Sequence, residues 1–200
     1  MSGAPLQLRF IRSAQNPRDL PPGPVEVAVV GRSNVGKSSL INALANQRGL
    51  AHVSNTPGRT QLINQFQLRL KGQDHGILVD LPGYGYAKVP QKIRDSWRPM
   101  IEGYLTGRQE LELVLVLVDG EIGPTPLDSQ MLDWLRALEI PHAVIATKGD
   151  RVKPSKRKDR AIEVAAKCQL DQEDVLWVSS EKGTNVEVLR SRLLDLLVSK

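Results

Sequence analysis

Gly31-Arg32-Ser33-Asn34-Val35-Gly36-Lys37-Ser38 brings two glycines, a lysine and a hydroxyl together at the spacing of a phosphate-binding loop. It directly follows the apolar run Val25-Glu26-Val27-Ala28-Val29-Val30. A strand that ends in a glycine-bracketed turn and opens a helix aims backbone N–H groups and the helix's positive end at one point. Only a polyphosphate makes full use of that arrangement. Lys37 can reach terminal phosphates, and the Ser38 hydroxyl is placed to ligate magnesium. Beyond the loop, Leu40, Ile41, Leu44 and Ala45 fall one turn apart, which predicts a helix packed on a sheet.

A phosphate loop does not choose a base. His142-Ala143-Val144-Ile145-Ala146 predicts a second strand, and it ends in Thr147-Lys148-Gly149-Asp150. Guanine offers two adjacent donors, N1–H and the exocyclic amine, and one carboxylate accepts both. Adenine lacks the amine and turns a lone pair toward the carboxylate, so such a site discriminates by up to about 10⁴–10⁵. Asp150 is the residue for that task, with the Lys148 stem over the base plane and Thr147 tying the loop. The expected nucleotide is therefore GTP. Between these segments, Ile77-Leu78-Val79 leads into Asp80-Leu81-Pro82-Gly83. Asp80 would hold magnesium through water, and the Gly83 amide would sense a γ-phosphate. Thr56-Pro57-Gly58-Arg59-Thr60-Gln61 lies before the alternating stretch 65–70, which predicts a half-buried strand. A threonine of this loop would complete the magnesium shell, and Thr60, closer to the strand, is preferred over Thr56. Finally, Val175-Leu176-Trp177-Val178 predicts a strand leading into Ser179-Ser180, whose backbone and hydroxyl groups would support guanine recognition.

These five segments, in this order, resemble the GTPases of the Era–EngA–TrmE–EngB–septin group. Their wording resembles the EngB family (YihA/YsxC) in particular: 31–39, Pro-Gly-Arg-Thr-Gln at 57–61, Asp-Leu-Pro-Gly-Tyr-Gly-Tyr-Ala at 80–87, 147–150 and Val-Ser-Ser at 178–180. The resemblance spans about residues 8–198. It implies nucleotide contacts at Gly31, Arg32, Ser33, Asn34, Val35, Gly36, Lys37 and Ser38, and at Gly58, Arg59, Thr60, Gln61 and Leu62. It extends them to Asp80, Leu81, Pro82 and Gly83, to Thr147, Lys148, Gly149 and Asp150, and to Val178, Ser179 and Ser180. Magnesium would sit on Ser38 and Thr60, and Lys37, Thr60 and Gly83 would act on the transferred phosphate. The resemblance further implies a GTP/GDP switch that works in large ribosomal subunit assembly and supports cell division and septation.

Ras-like switches carry a water-orienting glutamine after the glycine of the third motif. Tyr84 stands there instead, so unaided hydrolysis should be slow; even with glutamine it runs on the order of 10⁻⁴ s⁻¹. Asn34 occupies the position from which related GTPases hold potassium. It equally suits a residue that stabilises the turn.

The elements that must position these groups alternate between strand-like and helix-like runs. That predicts an α/β fold of the P-loop, Ras-like type, a mostly parallel sheet with helices on both faces. Leu113–Val118 reads as a fully buried central strand. The 200 residues suit one G domain over 25–200, preceded by an irregular, proline-rich lead-in over 1–24. One cysteine, Cys168, and no leader or long apolar run point to the cytoplasm and away from membranes. His52, His75 and His142 lack metal-ligand spacing, and the three tryptophans suit the core. The formal net charge is +5, and residues 151–160 hold six basic side chains against one acid. That cluster is either a solvated helix start or a contact for RNA phosphates; the resemblance favours the second. A monomer without DNA contacts is expected. The rival readings are a P-loop ATPase or kinase, and an RNA-binding scaffold in which the nucleotide is structural.

Overall fold

Buried on both faces, the run Glu26–Gly31 forms β2, and the remaining strands assemble around it. The computed structural model describes residues 4–51, 62–84 and 91–198, with the side chains of 91–98 left aside. The other strands are β1 (Leu8–Ala14), β3 (Ile63–Leu70), β4 (Gln73–Asp80), β5 (Leu111–Asp119), β6 (His142–Thr147) and β7 (Val175–Trp177). The helices are α1 (Lys37–Ala45), α2 (Gln91–Gly107), α3 (Pro126–Ala137), α4 (Arg157–Lys167) and α5 (Val186–Val198). The strand order is β1-β3-β4-β2-β5-β6-β7. Only β3 runs against the others, antiparallel to both β1 and β4.

Alternation along the strands divides the core. Ala28, Val30, Val114, Val116 and Val118 pack with α2, α3 and α4. Val27, Val29, Leu115 and Leu117 pack with α1 and α5. The expected sheet with helices on both faces is thus what forms. β5 is an interior strand, next to β2 rather than at the middle of the sheet. Among the described residues no helix is long and apolar enough to cross a membrane. Cys168 is buried, and burial pushes its thiol up to about 11.

Two expectations are corrected. Residues 8–14 belong to the sheet as β1, not to an irregular lead-in. Its register shifts between Phe10 and Arg12, which breaks the alternation that would have marked a strand. β3 is not half-buried either: it lies between β1 and β4, and Gln65 and Gln67 are buried with Phe66 and Leu68. Buried amides need partners. Gln65 Nε2 donates to Glu26 Oε1 at 2.9 Å, and Gln67 Nε2 donates to His75 O at 2.5 Å. Lys71 and Gly72 join β3 to β4 in a two-residue turn, both with positive φ (51° and 82°), matching the twist of the flanking strands.

The end of β2 farthest from the phosphate loop is fixed by a buried charge. Glu26 accepts two hydrogen bonds from Arg108, Nη2 at 2.8 Å and Nε at 3.0 Å, and a third from the Tyr104 hydroxyl. Arg108 also donates to Leu20 O and Pro21 O, which ties the segment ahead of β2 to α2's end. Burial and the adjacent carboxylate push the Tyr104 phenol far above its ordinary range, so it remains a donor. Removing Glu26 strips Arg108 of two short hydrogen bonds, leaving it Glu110 at 3.4 Å and the carbonyls of Leu20 and Pro21, and orphans the buried Tyr104 hydroxyl. Glu26→Ala should therefore lower the unfolding free energy by about 3–5 kcal/mol, measured by denaturant titration.

Candidate functional site

The loop between β2 and α1 is built by two backbone conformations. Gly36, which caps α1, has φ +105°, and Asn34 has φ 66°, a left-handed value that asparagine tolerates. No side chain caps α1, so its first-turn N–H groups are left to whatever enters the loop. Gly31 is required for a different reason: an added Cβ would lie 2.9 Å from Leu117 O on β5. Lys37 and Asp80 are both buried, 8% and 2% exposed, and the lysine ammonium donates to Asp80 Oδ1. Asp80 ends β4, and the parallel register with β2 sets it opposite Val29. Ser38 follows Lys37 in the first turn of α1.

The third motif continues along the loop. Leu81 N donates to Val29 O, Tyr84 N donates to Gly31 O, and Ser33 N donates to Tyr84 O at 3.0 Å. Gly83 lies so close that a Cβ there would meet Ser33 N at 3.1 Å. Pro82 is buried beside it.

On the opposite flank, the Thr147 hydroxyl donates to Val35 O at 2.6 Å, with Val118 O also in range at 3.1 Å. Lys148 takes a left-handed turn (φ 56°), and its Nζ reaches Asn34 O at 2.8 Å and Asp119 Oδ2 at 2.6 Å. The Lys148 stem therefore spans from the end of β6 to the phosphate loop. Gly149 N donates to Val178 O, which locks the fourth motif to the fifth. Ser179 is buried, and its hydroxyl accepts from Lys182 N at 3.0 Å. Among the described residues, the half-buried Asp150 makes no side-chain hydrogen bond or ion pair. It lines a cavity of about 410 Å³ with Trp177, Ser179 and Lys182. A second cavity, of about 690 Å³, runs between Ser39 and Asn42 of α1 and Ser180 and Glu181.

Three of the five motifs thus meet around the N-terminus of α1, with Val178, Ser179 and Ser180 behind the fourth. Gly58, Arg59, Thr60 and Gln61 lie outside the described residues, as do Thr56, His52, Tyr86 and Lys88; Leu62 stands at their edge, one residue before β3. Two buried acids contribute without belonging to any motif. Asp119, at the end of β5, holds Lys148 and accepts from Glu121 N and Ile122 N. Its signal is an acid that closes the long apolar run 113–118. Asp128 holds Tyr84 and closes a capping box with Thr125, a Thr-x-x-Asp pattern visible in the sequence.

A phosphate loop, a Walker-B aspartate and a guanine-type Thr-Lys-x-Asp loop, carried on one side of a mostly parallel sheet, define a P-loop GTPase domain. Residues 26–148 match the family model described as 50S ribosome-binding GTPase. The curated relatives named probable GTP-binding protein EngB include those of Citrifermentans bemidjiense, 45% identical over 96% of this chain and 88% of that one. Others are from Desulforamulus reducens, 46% over 96% and 92%, and Pelotomaculum thermopropionicum, 53% over 74% and 73%. The chain belongs to the EngB family of GTP-binding proteins and is a GTP-hydrolysing enzyme. Solved structures share the fold. A probable GTP-binding protein EngB aligns with TM-score 0.69 at 23% identity, covering 88% of this chain and all (100%) of that one. Era, in complex with MgGDPNP and a 16S ribosomal RNA segment, aligns with TM-score 0.70 at 25% identity, covering 88% of this chain and 58% of that one.

Proposed function

We propose that this GTPase is a nucleotide-state switch acting as a cytoplasmic monomer in assembly of the large ribosomal subunit, and through it in cell division and septation. The observation that carries the switch is the docking of Gly83 and Tyr84 along a phosphate loop whose helix has no side-chain cap. Lys37 would engage the terminal phosphates, Gly83 would sense the γ-phosphate, and Asp150 would accept both guanine donors. The Ser38 hydroxyl and the Asp80 carboxylate are hard oxygen donors of the kind magnesium takes, and Thr60 would be the third residue to hold it. The ion would neutralise charge developing on the β- and γ-phosphates. Asp80, paired here with Lys37, would help hold the hydrated ion, and Lys37 would serve the phosphates.

Slow turnover follows from Tyr84, whose hydroxyl is held by Asp128 and not offered to an attacking water. Asn34 serves the turn through its left-handed φ. If it also holds potassium, as its position in the motif allows, hydrolysis will be faster in potassium than in sodium. Equal rates in the two salts assign Asn34 to the turn alone.

The ribosomal reading draws on the description of the matched family and on charge placement. Arg157, Lys158 and Arg160 occupy the start of α4, where the helix dipole already presents its positive end, and no side chain caps it. Lys153, Lys156 and Lys158 are exposed and make no ion pair among the described residues. Such a cluster disfavours the helix and suits a polyanion such as ribosomal RNA. The decisive experiment is cosedimentation with large subunits in GTP-analogue, GDP and nucleotide-free states over a salt series. Binding should depend on the nucleotide, and its affinity should fall steeply with log salt. Binding that ignores the nucleotide would favour a scaffold. Asp150→Asn should lower GTP affinity by about 10²-fold, the worth of two charge-assisted hydrogen bonds, and raise affinity for xanthine nucleotides. Competition assays with labelled GTP measure both.

A further inference from the structure

Asp128 is 0% exposed and lies outside every nucleotide motif, yet three elements meet on its carboxylate. Oδ1 accepts the Tyr84 hydroxyl at 2.9 Å. Oδ2 accepts Thr125 N at 2.8 Å and Thr125 Oγ1 at 2.7 Å, and faces Arg32 Nε at 3.5 Å. Arg32 belongs to the phosphate loop, Tyr84 directly follows Gly83, and Thr125 caps α3. Capping α3 needs only the Thr125 contacts, which an exposed carboxylate could make. Complete burial brings in the phenol and the guanidinium as well, at a desolvation cost that capping does not explain.

The main chain joins the same two segments from the other side. Arg32 and Tyr84 form a parallel bridge, and Ser33 N and Gly31 O hold Tyr84 by its backbone. Gly83 is therefore fixed twice, by its fit against Ser33 and by its neighbour's phenol anchored on α3. Desolvation, reinforced by the charge of Asp128, pushes the Tyr84 phenol well above its ordinary range, so it stays a proton donor to the carboxylate.

We propose that Asp128 is a positioning residue for triphosphate recognition: by holding Tyr84 and facing Arg32, it sets the Gly83 amide against the phosphate loop and links that placement to the first turn of α3. The inference rests on the assignment of Gly83 as γ-phosphate sensor. Linkage is reciprocal, so a triphosphate that engages Gly83 must also alter the ordering of residues 125–129.

The test uses the full chain and two probes, GDP and a non-hydrolysable GTP analogue. Affinities are measured for the wild type, Gly83→Ala, Tyr84→Phe and Asp128→Asn, together with amide hydrogen exchange over 125–129. In Tyr84→Phe and Asp128→Asn the analogue-to-GDP affinity ratio should fall about fivefold or more. Exchange over 125–129 should differ between the two nucleotides in the wild type and become alike in Tyr84→Phe. A general loss of stability would lower both affinities together and leave the ratio unchanged. Tyr84→Phe keeps the Thr125–Asp128 cap, so it reports the linkage even if Asp128→Asn fails to fold. A ratio unchanged in folded Tyr84→Phe, or exchange over 125–129 still nucleotide-dependent in that variant, overturns the proposal. If Gly83→Ala alone lowers the ratio, the γ-phosphate assignment stands and only this inference fails. If Gly83→Ala leaves the ratio intact, the assignment itself falls.

Discussion

The parallel register of β4, β2, β5 and β6 is the constraint from which the site follows. Val29 pairs with Asp80, Gly31 with Leu117, and Asp119 with Thr147. Four strands therefore end at nearly one level, and their outgoing loops open on the same side of the sheet. Side-chain ties then remove the remaining freedom. Thr147 and Lys148 reach across to carbonyls of the phosphate loop, at Val35 and Asn34, so the loops for the two ends of a nucleotide form one cross-linked unit. Preorganised amides of that kind need no reordering when an anion arrives.

Buried charge is distributed with the same logic. At the bottom of β2, Glu26 is surrounded by donors from Arg108, Tyr104 and Gln65. At the top, Asp80, Asp119 and Asp128 are each buried against a lysine, a lysine and an arginine–tyrosine pair. Those acids lie at strand or helix ends, beside the phosphate loop and the segments that pack on it. One type of interaction thus ties α2 to the sheet at one edge and joins the motif loops at the other.

Much of this was legible in the chain. The 31–38 loop combines a strand, a glycine turn and a helix in consecutive residues, so local chemistry alone specified it, and the α/β architecture followed from the alternation of runs. Asp128 was not legible: Tyr84 and Arg32, the partners that tie it to the site, are far away in sequence, and Thr125-x-x-Asp128 signals a helix start without revealing burial. β1 stayed hidden because its register shift disrupts the alternation and prolines surround it. Gln65 and Gln67 misled for the opposite reason. Their alternation with Phe66 and Leu68 suggested a solvated face, whereas hydrogen bonds to Glu26 and His75 allow both amides to be interior.

The tight hairpin of β3 and β4 has a mechanical consequence. β3 begins just after the stretch that carries Thr60, β4 ends at Asp80, and Asn64 pairs with Asp80 across the ladder. With only Lys71 and Gly72 at the far tip and β1 clamped along the outer side, the two strands have little room to slide past each other. Such a short, clamped ribbon moves as one body, so the chain that enters β3 and the chain that leaves β4 are mechanically joined.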